Sequence, residues 1–312
     1  MLIFDGNWVK LIFVAFSVGV LFVSTFVRIF ESYTPDFALR LLRYGKLIDK
    51  KTNSLPSLRR LQVPKSYFKY FYVLAAWVYV PVALSQVAWV YLLDNDVPHY
   101  FMTLLNVCCG PHRIATISTA RTLVAILLMT LQIWRRFYDT HFVSVFSKKA
   151  SMSVFHFFFG VIFYLGALLI ILAESPKFAN TSTKIGNEFR PNDLTLVDVT
   201  AVVIFLWAWY HQHVTTVILA DIRKDSKGNI VTESYKLPQG DWFNYLSSPH
   251  YTAEIIMYTC LWEILGIRHS WWCVYALVLT NQVDSLISSH QWYQQNFKNF
   301  PKKRKALIPF II

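Results

Sequence analysis

The residues able to do chemistry gather in the second half of the chain, inside segments that are otherwise apolar. His250 and Glu254 stand four apart, so a helix places both on one face. A carboxylate between Tyr251 and Met257 is costly against lipid, and ionisable groups in such segments face an interior cavity. A clamp between two helices would hold it there; contact with a bound cofactor or substrate is the stronger reading. Gln212, Thr216 and Arg223 form a second stripe, because Arg223 lies only about 20° round the helix from Gln212. Gln282, Ser285, Ser289 and Tyr293 form a third, at helical spacing. Together the stripes predict a wet pocket at one end of several helices, beside basic groups suited to phosphate.

Other candidate chemistry is weaker. His211 and His213, two residues apart, point to different helix faces and read as interfacial polar residues, not metal ligands. Cys108, Cys109, Cys260 and Cys273 have no zinc-site spacing and read as packing residues. A glycine-rich phosphate loop is missing, so any dinucleotide binds without a Rossmann domain.

The elements that position these groups are membrane helices. The chain is 55% hydrophobic and only 15% charged, against about 25% charged in a soluble domain. A span needs about 20 mostly apolar residues. Runs at 8–27, 68–93, 120–134, 154–173, 194–219, 253–265 and 271–288 meet or approach this, which predicts an all-α, polytopic protein of about seven transmembrane helices in one domain. Asp5 precedes the first run and no small-residue cleavage site follows it, so it reads as a helix and not a signal peptide. The stretch 221–249 is the most polar and reads as a small cytosolic subdomain.

The net charge of +12 is carried by alternate loops. Arg28, Arg40, Arg43, Lys46, Lys50, Lys51, Arg59, Arg60, Lys65 and Lys69 lie between the first two runs. Arg135, Arg136, Lys148 and Lys149 follow the third, and Lys298, Lys302, Lys303, Arg304 and Lys305 follow the last. Basic loops stay cytosolic, which predicts a lumenal N-terminus and a cytosolic C-terminus. The sequon Asn180-Thr181-Ser182 then falls on a lumenal loop. Scattered cations suit anionic headgroups better than nucleic acid.

The stretch from Tyr235 through Gly240, Asp241, Trp242 and Phe243 to Pro249, His250 and Glu254 resembles the signature of the steroid 5α-reductase family. So does the ending from Trp292 and Tyr293 through Phe300-Pro301 to Arg304. Arg135-Arg136-Phe137-Tyr138, Val143 to Ser147, and His211-Gln212-His213 are similar to its polyprenal reductase branch. The resemblance implies seven membrane helices, residence in the endoplasmic reticulum and NADPH as hydride donor. It implies cofactor contacts from Arg136, Gln212, Arg223, Tyr235, Lys236, His250, Glu254 and Tyr293. Lys236 stands where steroid enzymes have arginine, which keeps the charge and loses the bidentate fork. His250 stands where an asparagine is usual.

The steroid-gripping side departs further from the family. Ser285 and Ser289 stand where steroid enzymes carry arginine and histidine. A Gln-Glu pair before the second span appears here as Gln62-Val63, and a carbonyl-gripping tyrosine has no match near Ile133. The implied reaction is saturation of a carbon–carbon double bond. Hydride is a nucleophile and adds only to a polarised alkene, so an α,β-unsaturated aldehyde fits and an allylic alcohol does not. Charge then builds on the carbonyl oxygen, which needs a donor, and a proton must reach the α-carbon. Tyr293 and Gln62 are the candidate catalytic donors. The implied substrate is polyprenal, a long polyisoprenoid whose tail stays in the bilayer, reduced toward dolichol for N-glycosylation. A Δ4-ketosteroid reductase is the alternative among enzymes. A lipid transporter is the alternative outside them; internal repeats, frequent in transporters, are not visible.

Overall fold

The protein is described from a computed structural model, over residues 6–30, 33–34, 62–148, 150–180, 188–232 and 234–307. Its helices are α1 (Trp8–Ile29), α2 (Lys65–Leu92), α3 (His99–Cys109), α4 (Thr119–Tyr138), α5 (Val154–Ala173), α6 (Leu196–Asp221), α7 (Pro249–Leu265) and α8 (Trp271–Asn296). Each expected span has a helix at its place. Helix α3 was not anticipated; its 11 residues extend only about 17 Å, too short to cross a bilayer. Helix α8 continues well past the expected end at 288, and its last turns carry Tyr293.

Four helices, α1, α2, α5 and α6, are long and apolar enough to cross a membrane. The chain is a multi-pass membrane protein. Helix α7 is shorter, and α4 and α8 carry more polar residues, many of them turned inward. Helix α1 is the most outward-facing of the four, with Phe22 70% exposed beside exposed Leu21, Phe26 and Ile29. Such a surface suits lipid contact, since exposed apolar patches of this extent are unfavourable in water.

The helix ends are set by local chemistry. The Thr195 hydroxyl accepts from the Asp198 backbone N–H, and the Asp198 carboxylate accepts from the Thr195 N–H, a reciprocal cap at the start of α6. Arg121 of α4 reaches the same carboxylate at 2.8 Å. Pro249 opens α7 where its missing N–H costs nothing. Gly266, at φ 82°, turns the chain tightly from α7 into α8. In α2 a π turn over Ala75–Tyr79 precedes Pro81. Another π turn, Asp139–Val143, ends α4 and swings Asp139 inward.

Helix α6 lies along α7, and α1 along α8. The core between them holds Trp271, Tyr258, Phe205 and Met129, all fully buried. A two-stranded antiparallel ribbon, β1 (Gln62–Pro64) and β2 (Ser151–Ser153), ties the approach to α2 to the approach to α5. The loop after α6 is strapped by the C-terminal segment. The Lys305 N–H donates to the Tyr245 carbonyl at 2.8 Å, the Ser247 N–H to the Lys305 carbonyl at 2.9 Å, and Arg304 Nη1 to the Pro238 carbonyl at 3.0 Å. The cationic residues 40–60, Lys149, and Thr181 and Ser182 of the sequon lie outside the described residues.

Candidate active site

Gln212 is buried at the crossing of α4, α6 and α7. Its Nε2 donates to the His250 carbonyl at 3.0 Å and to Glu254 Oε2 at 3.0 Å. Its Oε1 accepts from Gln132 Nε2 at 3.0 Å and from Arg135 Nη2. Arg135 also donates to Asp139 Oδ2 at 3.1 Å, and His213 Nδ1 meets the other Asp139 oxygen at 2.6 Å. Asp139 is fully buried, so two partners share the cost of removing its charge from water. His211 faces elsewhere. Its Nδ1 is 2.8 Å from Asp241 Oδ1, and the Trp242 ring stacks on its imidazole at 4.8 Å. That contact pins the loop carrying Gly240 to Phe243 against α6.

Two adjoining chambers open beside this network, of about 190 and about 260 Å³. Together they reach the roughly 300–1,000 Å³ of ordinary ligand sites. Lys65, Phe68, Arg136, His250 and Tyr251 line both and form the junction. The inner chamber is mostly aromatic and aliphatic. Tyr72 of α2, Tyr164 of α5 and Glu254 of α7 supply polar points, with Gln282 of α8. The outer chamber carries Arg223, Lys236, Tyr235 and Tyr293 alongside Arg136 and Lys65.

Most residues expected from the sequence meet here. Arg223, Tyr235, Lys236 and Tyr293 line the outer chamber, and Gln212 and Glu254 the inner one, while Arg136 and His250 line both. The Arg223 guanidinium sits 5.2 Å over the Tyr235 ring and donates to the Val145 carbonyl. Burial pushes the Tyr235 phenol up, with Arg223 pulling it back down. Gln62 is the exception. It lies in β1, its Oε1 accepts from the Ser151 hydroxyl at 3.0 Å, and it lines neither chamber. Tyr293 lines the outer chamber alone. Ile133 is fully buried in the core.

The structure adds Tyr72, Tyr164, Lys65 and the Gln132–Arg135 pair. Nothing in their spacing singles them out, because Tyr72 and Tyr164 lie 92 residues apart and meet only in the folded bundle. The basic motif 135–136 was the one available signal, and its two arginines diverge. Arg135 turns into the buried network, and Arg136 turns toward the chambers.

The donor set fits a dinucleotide. Cations around the outer chamber match phosphate oxygens. Arg223 Nε is buried with no hydrogen-bond partner among the described residues, and in the inner chamber Gln282 Oε1 is likewise an unpartnered acceptor. Such an acceptor suits an amide N–H.

Comparison with known proteins places this arrangement. The profile of the family described as 3-oxo-5-alpha-steroid 4-dehydrogenase matches residues 150–312. A Drosophila melanogaster protein named polyprenal reductase is 33% identical over 312 residues, covering 98% of this chain and 94% of that protein. The Homo sapiens protein of the same name is 29% identical over 274 residues, covering 87% and 85%. The Caenorhabditis elegans one is 29% identical over 273 residues, covering 87% and 86%. The family's reductases use a nicotinamide cofactor, which agrees with the cationic outer chamber. With the matched region holding all seven residues named above for α6 to α8 and their loops, and the wider likeness running nearly end to end, the chain belongs to the 3-oxo-5-alpha-steroid 4-dehydrogenase family of membrane reductases.

Proposed function

We propose that the protein saturates the α-isoprene double bond of polyprenal with NADPH, giving dolichal, as a step toward dolichol for N-glycosylation. The observation that carries this reading is the junction at Arg136, where a cation-lined chamber meets an aromatic one holding Glu254, Tyr72 and Tyr164. Arg223, Lys236 and Arg136 hold phosphates, and Glu254 and Gln282 take the amide end. When bound, the nicotinamide supplies the hydride that adds to the β-carbon of the enal. The walls from Phe68, Phe71, Phe159 and Phe163 exclude water around the substrate's head and leave an isoprenoid tail free to run into lipid.

The same reading puts the protein in the endoplasmic reticulum membrane, with its N-terminus lumenal and the basic tail cytosolic. Helices α4, α7 and α8 complete seven spans. Their polar residues face the network and chambers, so their modest apolarity is compatible with crossing the bilayer.

The test is the purified chain in lipid nanodiscs with NADPH and either polyprenal or a Δ4-ketosteroid. NADPH oxidation with polyprenal, and a product heavier by two hydrogens, is the expected result. Oxidation with the ketosteroid alone would favour a steroid reductase. No NADPH binding would favour a lipid transporter.

A further inference from the structure

We propose that Tyr72 is the catalytic donor to the substrate's carbonyl oxygen, held in that role by Arg136 and Tyr164. This rests on the enal-reductase reading above. A phenol has one proton and two acceptor positions. Arg136 Nε, which can only donate, lies 3.2 Å from Tyr72 Oη, and its guanidinium sits 5.3 Å over the Tyr72 ring. Tyr164 Oη lies 3.3 Å from Tyr72 Oη and donates to it. Both acceptor positions of Tyr72 are thereby used, and its proton is directed to whatever occupies the inner chamber, which both tyrosines line.

The rival groups are less suited. Glu254 Oε2 is engaged as the acceptor of the Gln212 amide at 3.0 Å. Gln212 spends its amide on His250 and Glu254. Gln62 lines neither chamber, and Tyr293 lines only the outer one. His156 of α5 lines the inner chamber and is the competitor to be tested.

The step balances. Hydride from the reduced nicotinamide forms a bond to the β-carbon. The alkene π pair moves into the bond between the α- and carbonyl carbons, and the carbonyl π pair moves onto oxygen. The Tyr72 proton passes to that oxygen, leaving a phenolate facing the Arg136 cation. The enol's α-carbon then takes a proton from water, and the oxygen returns its proton to Tyr72. The nicotinamide is oxidised, the alkene is reduced, and one solvent proton is consumed.

Wild type, Tyr72→Phe, Tyr164→Phe and His156→Asn are compared in nanodiscs with polyprenal, reading kcat, KM, and NADPH Kd by fluorescence. Tyr72→Phe should lower kcat by about 10²–10³-fold, the loss seen when one oxyanion donor is removed, with NADPH Kd within about twofold. Tyr164→Phe should lower kcat less, with Kd also kept, and His156→Asn, as a chamber-wall change, should lower kcat less than Tyr72→Phe does. A fluorinated tyrosine at position 72 keeps the shape and makes the phenol more acidic, so it should move the alkaline limb of the kcat profile to lower pH. Wild-type turnover together with near-normal kcat in Tyr72→Phe, or an unmoved limb in the fluorinated protein, overturns the assignment. Loss of turnover in His156→Asn with Tyr72→Phe active moves the role to His156 and also overturns it. Failure of the wild type to reduce polyprenal instead sinks the underlying function.

Discussion

Gln212 Nε2 stands 3.0 Å from Glu254 Oε2, joining the middle of α6 to the face of α7 that lines the inner chamber. One amide group thus sets the position of the carboxylate while its oxygen takes two donors from α4. The pair makes the site's geometry dependent on the buried network behind it.

Glu254→Gln and Gln212→Ala are therefore expected to separate. Glu254→Gln should raise the NADPH Kd about tenfold or more with little change in melting temperature, since an amide is nearly the same size. Gln212→Ala leaves Gln132 and Arg135 short of a buried acceptor, which costs about 1–3 kcal/mol. Thermal unfolding in detergent and NADPH titration read the two effects. Normal cofactor affinity in Glu254→Gln would remove Glu254 from the site.

Arg223 is held by the Val145 carbonyl and the Tyr235 ring, so its charge is already oriented before any anion arrives. Arg223→Ala should weaken NADPH about tenfold, corresponding to roughly 1.5 kcal/mol for a charged hydrogen bond. Raised salt should weaken the wild type more than the variant. Unchanged NADPH KM in Arg223→Ala would show that the phosphates bind elsewhere.

Gly160 of α5 lies against the buried Phe71 ring, where an added Cβ would come within 2.8 Å of Cδ1. Gly160→Ala should force the ring aside, costing about 1–3 kcal/mol as overpacking does. Because Phe71 and Gly160 both line the inner chamber, kcat/KM for polyprenal should fall more than NADPH affinity. Steady-state kinetics with both substrates varied tests this; equal losses would mean a global defect.

Asn180 belongs to a sequon, yet its amide nitrogen donates to Asn106 Oδ1 at 2.9 Å and to the Pro111 carbonyl. Arg113, buried beside it, donates to Asn106 and to the Gly110 and Phe178 carbonyls. The amide is structural here, so the protein purified from a eukaryotic host should show no mobility change on endoglycosidase treatment. Asn180→Ala should lower thermal stability by about 1–2 kcal/mol, the loss of charge-adjacent hydrogen bonds. A glycosidase-sensitive shift would show that this corner opens.

The sequence by itself determined the helical membrane architecture and most of the candidate cofactor residues. Apolar runs of bilayer length leave the backbone no choice but helix, and the polar stripes at 212, 216 and 223 and at 250 and 254 need only helical periodicity to be seen. Strong local motifs, such as Gly240 to Phe243 and Phe300 to Arg304, marked the loop and its strap. Tertiary structure alone decided which side chains meet across helices. Neighbouring Arg135 and Arg136 share a motif, but packing sends one into the Gln212–Asp139 network and the other to the chambers. Gln62 falls in a motif-like position and is carried away by the ribbon with β2. Tyr72 and Tyr164 carry no signal in their own segments, because a hydrogen bond between residues far apart in the chain depends on how α2 and α5 cross, and periodicity along one helix holds no information about its neighbour.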